Sequence, residues 1–490
     1  MAIDQYASCP CGSGKKFKWC CAPIHGEIDR AFQQHESGQH ENALRTMEAV
    51  VQAHPTNPEA WGRKAQLLHL NGRAAEAEQA LEEAFKLNKN YAFGYLLQGL
   101  FRQAEGEPVG AAILFRKASE LYAPDAAEQL SFLFEQIGDA ELGRNHPVAG
   151  RYALARLAAI QPQNAQLQDA FKNIFGEASR IPEIARREYT LQGRESNRPS
   201  AWHNALALTD SGKLTDARKA FEEIAGTPKA DPLAWYNVGL IAAWQGENVK
   251  ALDALNKYVE REPDEAKAVA AWALAEVLRL GDDVLNDSDY VLHRTVIQFR
   301  DGQAAVGLLQ QWEAAGRLIG VRTNEEQGVL SGLVLEETTQ LVGAAAATYA
   351  PLAGYMMVAG NAISVYHPNP QTAAKIAAEV TEKLGPAVAG SQSITTTAQF
   401  GDMVLEAMLF PTFGRASEFA LTKMQEQAQH HFEDVWAKRP LKGLAGNTPT
   451  DATGSHVLRR KVLGMIQILE QCLNGSAPRG ATGEAAPPYD

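Results

Sequence analysis

Residues 58–91 read PEAWGRKAQLLHLNGRAAEAEQALEEAFKLNKNY, and residues 92–125 read AFGYLLQGLFRQAEGEPVGAAILFRKASELYAPD. Shifted by 34 positions, the two superpose by residue type. Trp61 falls on Tyr95, Ala65 on Gly99, Ala77 on Ala111, Leu81 on Phe115 and Ala84 on Ala118. A period of this length marks stacked supersecondary units. The small residues let paired helices approach, and the aromatic in the first helix of each unit fills the gap between turns. The period returns further on. Trp202 and Trp235 lie 33 apart, and in DPLAWYNVGLIAAWQGENVKALDALNKYVEREPD the residues Gly239, Ala251, Leu255 and Pro263 follow Trp235 at offsets of 4, 16, 20 and 28.

These units resemble tetratricopeptide repeats, with their order of aromatic, Gly/Ala, Ala, large apolar residue, Ala and Pro. Lys89 departs from that pattern at the Pro position of the first unit, and Tyr258 at a usual Ala of the last. Residues 126–198 keep a helical pattern but drift from the period, and Arg151–Ile160 before Pro162 reads as the second half of a degenerate unit. Helical repeats are therefore expected from about 25 to 284. A helix pair cannot bury its apolar face alone, so stacking builds one long core and a concave surface. The resemblance implies that this surface binds a protein partner; the competing reading packs it against the chain's own C-terminal half. Trp61, Tyr95, Trp202 and Trp235 recur at the period and belong to the packing seam. Specificity is then expected on polar residues of the first helix of each pair, namely Arg63, Gln98, Asn204 and Asn237.

Four of the five cysteines fall within residues 9–21, CPCGSGKKFKWCC. An odd total of five, with four so tightly clustered, is not a disulfide framework; it reads as a metal site in a reducing compartment. Zinc takes four tetrahedral ligands drawn from thiolate and imidazole, and two close pairs separated by a turn can supply them. Gly12, Ser13 and Gly14 let the chain reverse, while Lys15, Lys16 and Lys18 offset the thiolate charge. Gly12-Ser13-Gly14-Lys15 is not a phosphate-binding loop, because Lys16 stands where Ser or Thr is required and no first Gly precedes it.

The segment is similar to the SEC-C motif, a small zinc-binding element found at the C-terminus of the SecA translocation ATPase and in many other bacterial proteins. Its pattern is Cys-x-Cys-Gly-Ser-Gly-Lys-Lys-aromatic-Lys-x-Cys followed by His or Cys. Every position is matched, with Phe17 as the aromatic and Cys21 in the His/Cys place. The resemblance implies Zn2+ bound by Cys9, Cys11, Cys20 and Cys21. His25 is the alternative fourth ligand if the adjacent Cys20 and Cys21 cannot both turn inward. In SecA the motif contributes to binding the chaperone SecB and the ribosome, so a chaperone, ribosomal or secretory partner is implied, gripped through Lys15, Lys16, Phe17, Lys18 and Trp19. Lysines interleaved with aromatics also suit phosphate contact and base stacking, which makes nucleic acid the alternative partner. Residues 1–24 are expected to form a zinc knuckle that can be removed without unfolding the rest.

After Gly281-Asp282-Asp283 the pattern changes. DYVLHRTVIQF and VLSGLVLEE read as strands, residues 303–315 as a short helix, and AGYMMVAGNAISVYH as a hairpin turning at Gly360-Asn361. A helix follows from Asn369 or Pro370 to a stop at Gly385. An α/β domain is expected over 285–415, a helical segment over 416–475 and a flexible tail over 476–490. No Asp, Glu, Lys or Arg lies between Glu337 and Lys375, but Ala, Gly and Pro351 dominate the apolar run there, so it reads as buried core and not a membrane span. The stretch from Trp436 through Arg439-Pro440-Leu441 to Pro449 is similar to the toxin-binding end of Xre/MbcA/ParS-type antitoxins; read from its residues alone it is a buried Trp beside a tight helix–helix turn.

The 490 residues are 45% hydrophobic and 21% charged, the balance of a soluble globular protein with about three domains. A net charge of −12 excludes a whole-chain nucleic-acid coat. MAIDQYASCPCGSG has no apolar run after a basic start, so the chain is expected in the cytoplasm. Catalytic signatures are missing. His35-Glu36 with His40 is one residue too long for H-E-x-x-H, and neither G-x-S-x-G nor a dinucleotide fingerprint occurs. His430 and Asp434 share a helix face that reads as solvated, and Cys472 reads as packed in a helix. The expectation is a mainly α protein: a tetratricopeptide-like solenoid with an N-terminal zinc knuckle and a C-terminal α/β domain ending in helices. It would serve as a zinc-binding adaptor and not as an enzyme; a catalytic site in 285–415 would need a polar pocket that the sequence does not display.

Overall fold

The computed structural model describes residues 4–9, 11–228, 230–336, 349–411 and 418–476. The tail expected beyond Ser476 lies outside them. The chain forms two compact units, one of residues 1–177 and 188–254, the other of residues 178–187 and 255–490.

The first unit runs through α1 (Ala22–Glu36), α2 (His40–Ala53), α3 (Pro58–Leu70), α4 (Ala74–Leu87), α5 (Ala92–Ala104), α6 (Pro108–Leu121), α7 (Ala127–Gly143), α8 (Pro147–Ile160) and α9 (Ala165–Phe175). The short α10 (Glu183–Arg186) belongs to the second unit. The chain then returns with α11 (Ser200–Asp210), α12 (Leu214–Ala225) and α13 (Leu233–Trp244), and the division falls inside α14 (Asn248–Arg261).

Local chemistry explains the pairing. Asn57 accepts a hydrogen bond from the Glu59 N–H and Pro58 supplies a fixed φ, so α3 starts there. The turn inside successive pairs carries a glycine with φ between 65° and 80°: Gly38, Gly72 and Gly106, then Gly212 and Gly246, each 34 residues after the last within its series. A side chain resists that backbone, so the glycines set the register. Close approach explains the small residues. A Cβ on Gly99 would lie 2.4 Å from the Phe115 ring. The aromatic seam repeats in detail: Trp61 Nε1 donates to the Pro55 carbonyl (2.9 Å), and Tyr95 Oη donates to the Lys89 carbonyl (3.0 Å), six residues back in both units. Trp202 is fully buried, edge-on to Phe221 at 5.2 Å.

In the second unit, α15 (Glu265–Leu278) packs against α20 (His456–Ser476). Sequence periodicity grouped α15 with the repeats; the structure gives it this partner because α15 is apolar on nearly every face and must be covered all round. Arg460 is buried and donates to the carbonyls of Val259 (3.0 Å) and Glu262 (2.7 Å), which closes the end of α14. A seven-stranded sheet follows, formed by β1 (Val291–Phe299), β2 (Leu318–Asn324), β3 (Val329–Leu335), β4 (Tyr349–Ala359), β5 (Ala362–His367), β6 (Val388–Thr397) and β7 (Leu409–Pro411). Its order is β2-β3-β4-β5-β1-β6, with β7 on β4, and neighbouring strands are antiparallel. α16 (Gly302–Ala314) and α17 (Pro370–Leu384) cover one face, with Leu308, Trp312, Ile376 and Val380 against Ile297, Val334, Ile363 and Val365. The β4–β5 hairpin turns at Gly360 (φ 56°), and the Asn369 side chain caps α17. The described part of the charge-free run forms β4, β5 and the first turn of α17. Among the described residues no helix is long and apolar enough to cross a membrane. Two further helices, α18 (Glu418–His430) and α19 (Pro449–Ala452), precede α20. The turn before α19 is held by Asp289, which accepts from the Lys442 and Gly443 amides at 2.7 and 2.9 Å. Trp436 is half-buried.

Candidate metal centre

The cysteine segment folds as a small hairpin. The Cys9 amide donates to the Lys15 carbonyl (2.8 Å), the Phe17 amide to the Ala7 carbonyl (3.0 Å), and the tip turns through Gly12 (φ 77°) and Gly14 (φ 70°). A single 3-10 turn, Phe17–Trp19, then delivers Cys20 and Cys21 to the start of α1. Cys21 is the N-cap of that helix, and its carbonyl accepts from the Ile24 and His25 amides. The sharp backbone at Cys20 (φ −128°, ψ −92°) lets both neighbouring thiols face inward.

All four sulfurs lie within 4.8 Å of one another. Cys11 Sγ and Cys21 Sγ each lie 3.6 Å from Cys20 Sγ. Four thiolates about 2.3 Å from a tetrahedral zinc would be about 3.8 Å apart, so the cluster fits such an ion. Cys9, Cys11 and Cys21 are buried, and Ser13 Oγ sits 3.2 Å from Cys20 Sγ. Hydrogen bonds from Cys11, Cys21 and Cys9 hold the Cys20 thiol far below its ordinary range. The Cys11 hydrogen bond lowers Cys9 as well, while the same proximity pushes the other two the opposite way: Cys20 raises Cys11, and Cys11 with Cys20 raises Cys21. Four charges cannot coexist here without a cation, and a bound divalent ion would remove that penalty. His25 is outside the cluster. Its Nε2 lies 3.2 Å from Asp29, and its ring stands edge-on to Phe17 at 5.1 Å.

The hairpin is not a free-standing knuckle. Cys9, Cys11, Phe17 and Cys21 join the same apolar cluster as Ile24, Ile28, Ala92, Phe93 and Tyr122. Ser8 Oγ donates to the Asp125 carboxylate at 2.7 and 2.8 Å. The expectation that residues 1–24 stand apart from the repeat core is therefore corrected: a short loop with four inward thiols has too little apolar surface of its own, and the first repeats supply the rest.

The residues expected to grip partners divide. Lys15, Lys16 and Lys18 are exposed, and Trp19 is 67% exposed, edge-on to Tyr6 at 6.2 Å. Phe17 is buried and cannot stack on a base, which corrects its place in that set. Asn237 is corrected too. It is fully buried, accepting from the Gln192 amide (2.8 Å) and donating to the Gln192 carbonyl (3.0 Å). Asn204 is exposed and Gln98 half-buried. Arg63 pairs with Glu59 (2.7 Å), reaches Gln66 (3.0 Å) and lies over the Phe93 ring. Sequence reasoning missed that Glu59 is buried and also accepts from Tyr91 Oη at 2.6 Å; the i,i+4 spacing of Glu59 and Arg63 was the available signal. His430 and Asp434 meet at 3.0 Å on an exposed face, and Lys438 joins them at 2.9 Å. A further concavity in the first unit is lined by Arg116, Glu120, Arg156 and the stacked rings of Tyr152 and Trp244, 4.8 Å apart.

Comparison with known proteins bears on the repeats alone. Residues 34–98 and 204–266 match family models described as tetratricopeptide repeat; the matches reach neither the cysteine hairpin nor residues 436–449. No curated protein matches the chain in sequence. Among solved structures the chain is similar to pilF of Pseudomonas aeruginosa, with 13% identity over 50% of this chain and 94% of that one and a TM-score of 0.26. It is similar to PilW, described as a widely conserved type IV pilus biogenesis factor, with 17% identity over 50% and 96% and a TM-score of 0.26. YrrB, described as a TPR protein with an unusual peptide-binding site, gives 17% identity over 46% and 96% and a TM-score of 0.22. Scores this low carry no argument about site or partner. What the family models establish is that residues 34–98 and 204–266 of this chain are tetratricopeptide repeats.

Proposed function

We propose that the chain is a zinc-bearing adaptor that holds a protein partner on its tetratricopeptide repeats. The observation that carries this reading is the shared register of the pairs, set by glycine turns 34 residues apart at Gly38, Gly72 and Gly106 and again at Gly212 and Gly246. Such an array presents a continuous surface for another chain. Zinc held by Cys9, Cys11, Cys20 and Cys21 would be a closed four-ligand site, which is structural in character and leaves no position for a substrate. Reduced thiols suit a cytoplasmic chain. The SEC-C resemblance favours a chaperone, ribosomal or secretory component as partner. Of the repeat residues expected to recognise a partner, Asn204, which is exposed, and Gln98, which is half-buried, are assigned that role.

A second reading has one specific observation behind it. Lys15, Lys16, Lys18 and Trp19 are all exposed on one short segment, which suits phosphate contact with a stacked base. Binding through them would weaken steeply with salt, whereas capture on the repeats would not. The deciding experiment compares affinity capture by the intact chain, by a Gln98→Ala/Asn204→Ala variant and by a Lys15→Ala/Lys18→Ala variant, with melting temperatures measured alongside. Loss of the partner only in the repeat variant, at unchanged stability, is expected. Retention there with loss in the lysine variant would replace the first reading by the second.

A further inference from the structure

We infer that metal occupancy of the cysteine hairpin is coupled to its docking on the first repeats, so that zinc is the clip that closes this end of the array. The inference rests on the zinc reading above and adds a regulated contact within the chain.

The residues that touch the repeats are interleaved with the ligands. Gly12 follows Cys11 and sits so close to the first turn of α5 that a Cβ there would lie 2.1 Å from Ala92 Cβ and 3.3 Å from the Tyr122 ring. The carbonyl of Cys11 itself accepts from the Phe93 amide at 3.4 Å. Ser8, beside Cys9, reaches the Asp125 carboxylate after α6. The backbone geometry that gathers the four sulfurs is thus the same geometry that seats Gly12 on Ala92.

Physical necessity ties the two together. The buried side chains of the hairpin are three thiols and Phe17, which cannot hold a loop this short in one conformation without an ion. A metal–tetrathiolate centre carries net negative charge, and the first turn of α5, at the positive end of that helix's dipole, is a favourable neighbour for it. Whatever binds only the docked form stabilises docking, and docking raises metal affinity by the same factor. Metal loss then frees the hairpin and uncovers Ala92, Phe93 and Tyr122.

The test uses the full chain with zinc alone as the probe. Amide hydrogen exchange is followed at Phe93 and the first turn of α5, zinc-loaded and after chelation, and zinc affinity is measured by competition with a chromophoric chelator. Chelation should strip protection from Phe93 while the exchange of α12 stays as it was. Ala92→Leu should weaken zinc about tenfold or more by blocking Gly12. Asp125→Ala, which leaves the helices intact, should weaken it about fivefold through the lost Ser8 bond. Unchanged exchange at Phe93 together with wild-type zinc affinity in both variants would overturn the coupling and leave the zinc reading standing. A wild-type chain that holds no zinc would overturn both, and metal analysis separates the two failures.

Discussion

The pairs α1–α2, α3–α4 and α5–α6 and the pair α7–α8 solve the same packing problem by different means. In the first three a glycine with positive φ makes the turn, and alanines such as Ala43, Ala65, Ala77 and Ala84 fill the seam without any exposure. In the fourth, α7 has 17 residues against 13 in α3 and α5, the turn falls on Asn145 at φ 59°, and the seam holds charge. Glu141 is fully buried there; it pairs with the Arg116 guanidinium, accepts from His146 Nδ1 at 2.7 Å and lies 3.4 Å from Arg144. Regular repeats are held by smallness, which tolerates copying along the array. The break is held by a charge network, which is specific to one place.

The largest effect is expected where that network is cut. Glu141→Gln should destabilise the first unit by about 3–5 kcal/mol, because Arg116 stays buried without its counter-charge. Denaturant melts would show it, and a loss below about 1 kcal/mol would mean that the charges there are solvated.

Titration sharpens the contrast across the two units. Burial pushes Glu141 up, but the His146 hydrogen bond and the Arg116 charge outweigh it, and its carboxyl ends below the ordinary range. Its contribution to stability is complete above the ordinary carboxylate pKa of about 4.3 and fades as the pH falls through the lower folded value. Glu276 in α15 is equally buried, and desolvation leaves it at about 7 despite Arg279. The sign reverses there. Between about 4.3 and 7 the unfolded carboxyl loses its proton while the folded one keeps it, so the second unit should lose stability as the pH rises through that window. Melting temperature against pH, in wild type and in Glu276→Gln, checks this; the variant should flatten the slope.

Smaller effects belong to the regular pairs. Gly99→Val should cost about 1–3 kcal/mol by overpacking Phe115. Gly106→Ala, where an added Cβ meets nothing within 4 Å, should cost only about 1 kcal/mol, all of it from the positive φ. Equal losses at the two sites would show that turns and seams are not separable causes.

Much of this was legible in residue order, and the rest was not for definite reasons. The step from Trp61 to Tyr95 placed α3 to α6, Gly360-Asn361 placed the hairpin, and Asn369 with Gly385 bounded α17. The glycine register at 38, 72 and 106 was equally visible and extends the repeats to α1. β6 was hidden because VAGSQSITTT is a mostly exposed strand with no apolar alternation. The pairing of α15 with α20 spans nearly two hundred residues and leaves no local period. Asn237 looked like a recognition residue because a polar side chain on a helix of uncertain phase gives no sign that a backbone across the fold, at Gln192, will use both ends of its amide. Gly12 looked like turn chemistry alone, although its lack of a side chain also lets the hairpin reach Ala92.

The most direct measurement of the central claim is the zinc content of the full chain purified under reducing conditions, set against Cys20→Ser and His25→Ala. The account predicts one zinc per chain in the wild type, its loss in Cys20→Ser and its retention in His25→Ala. No tightly held metal in the wild type, or a metal that survives Cys20→Ser, would contradict it.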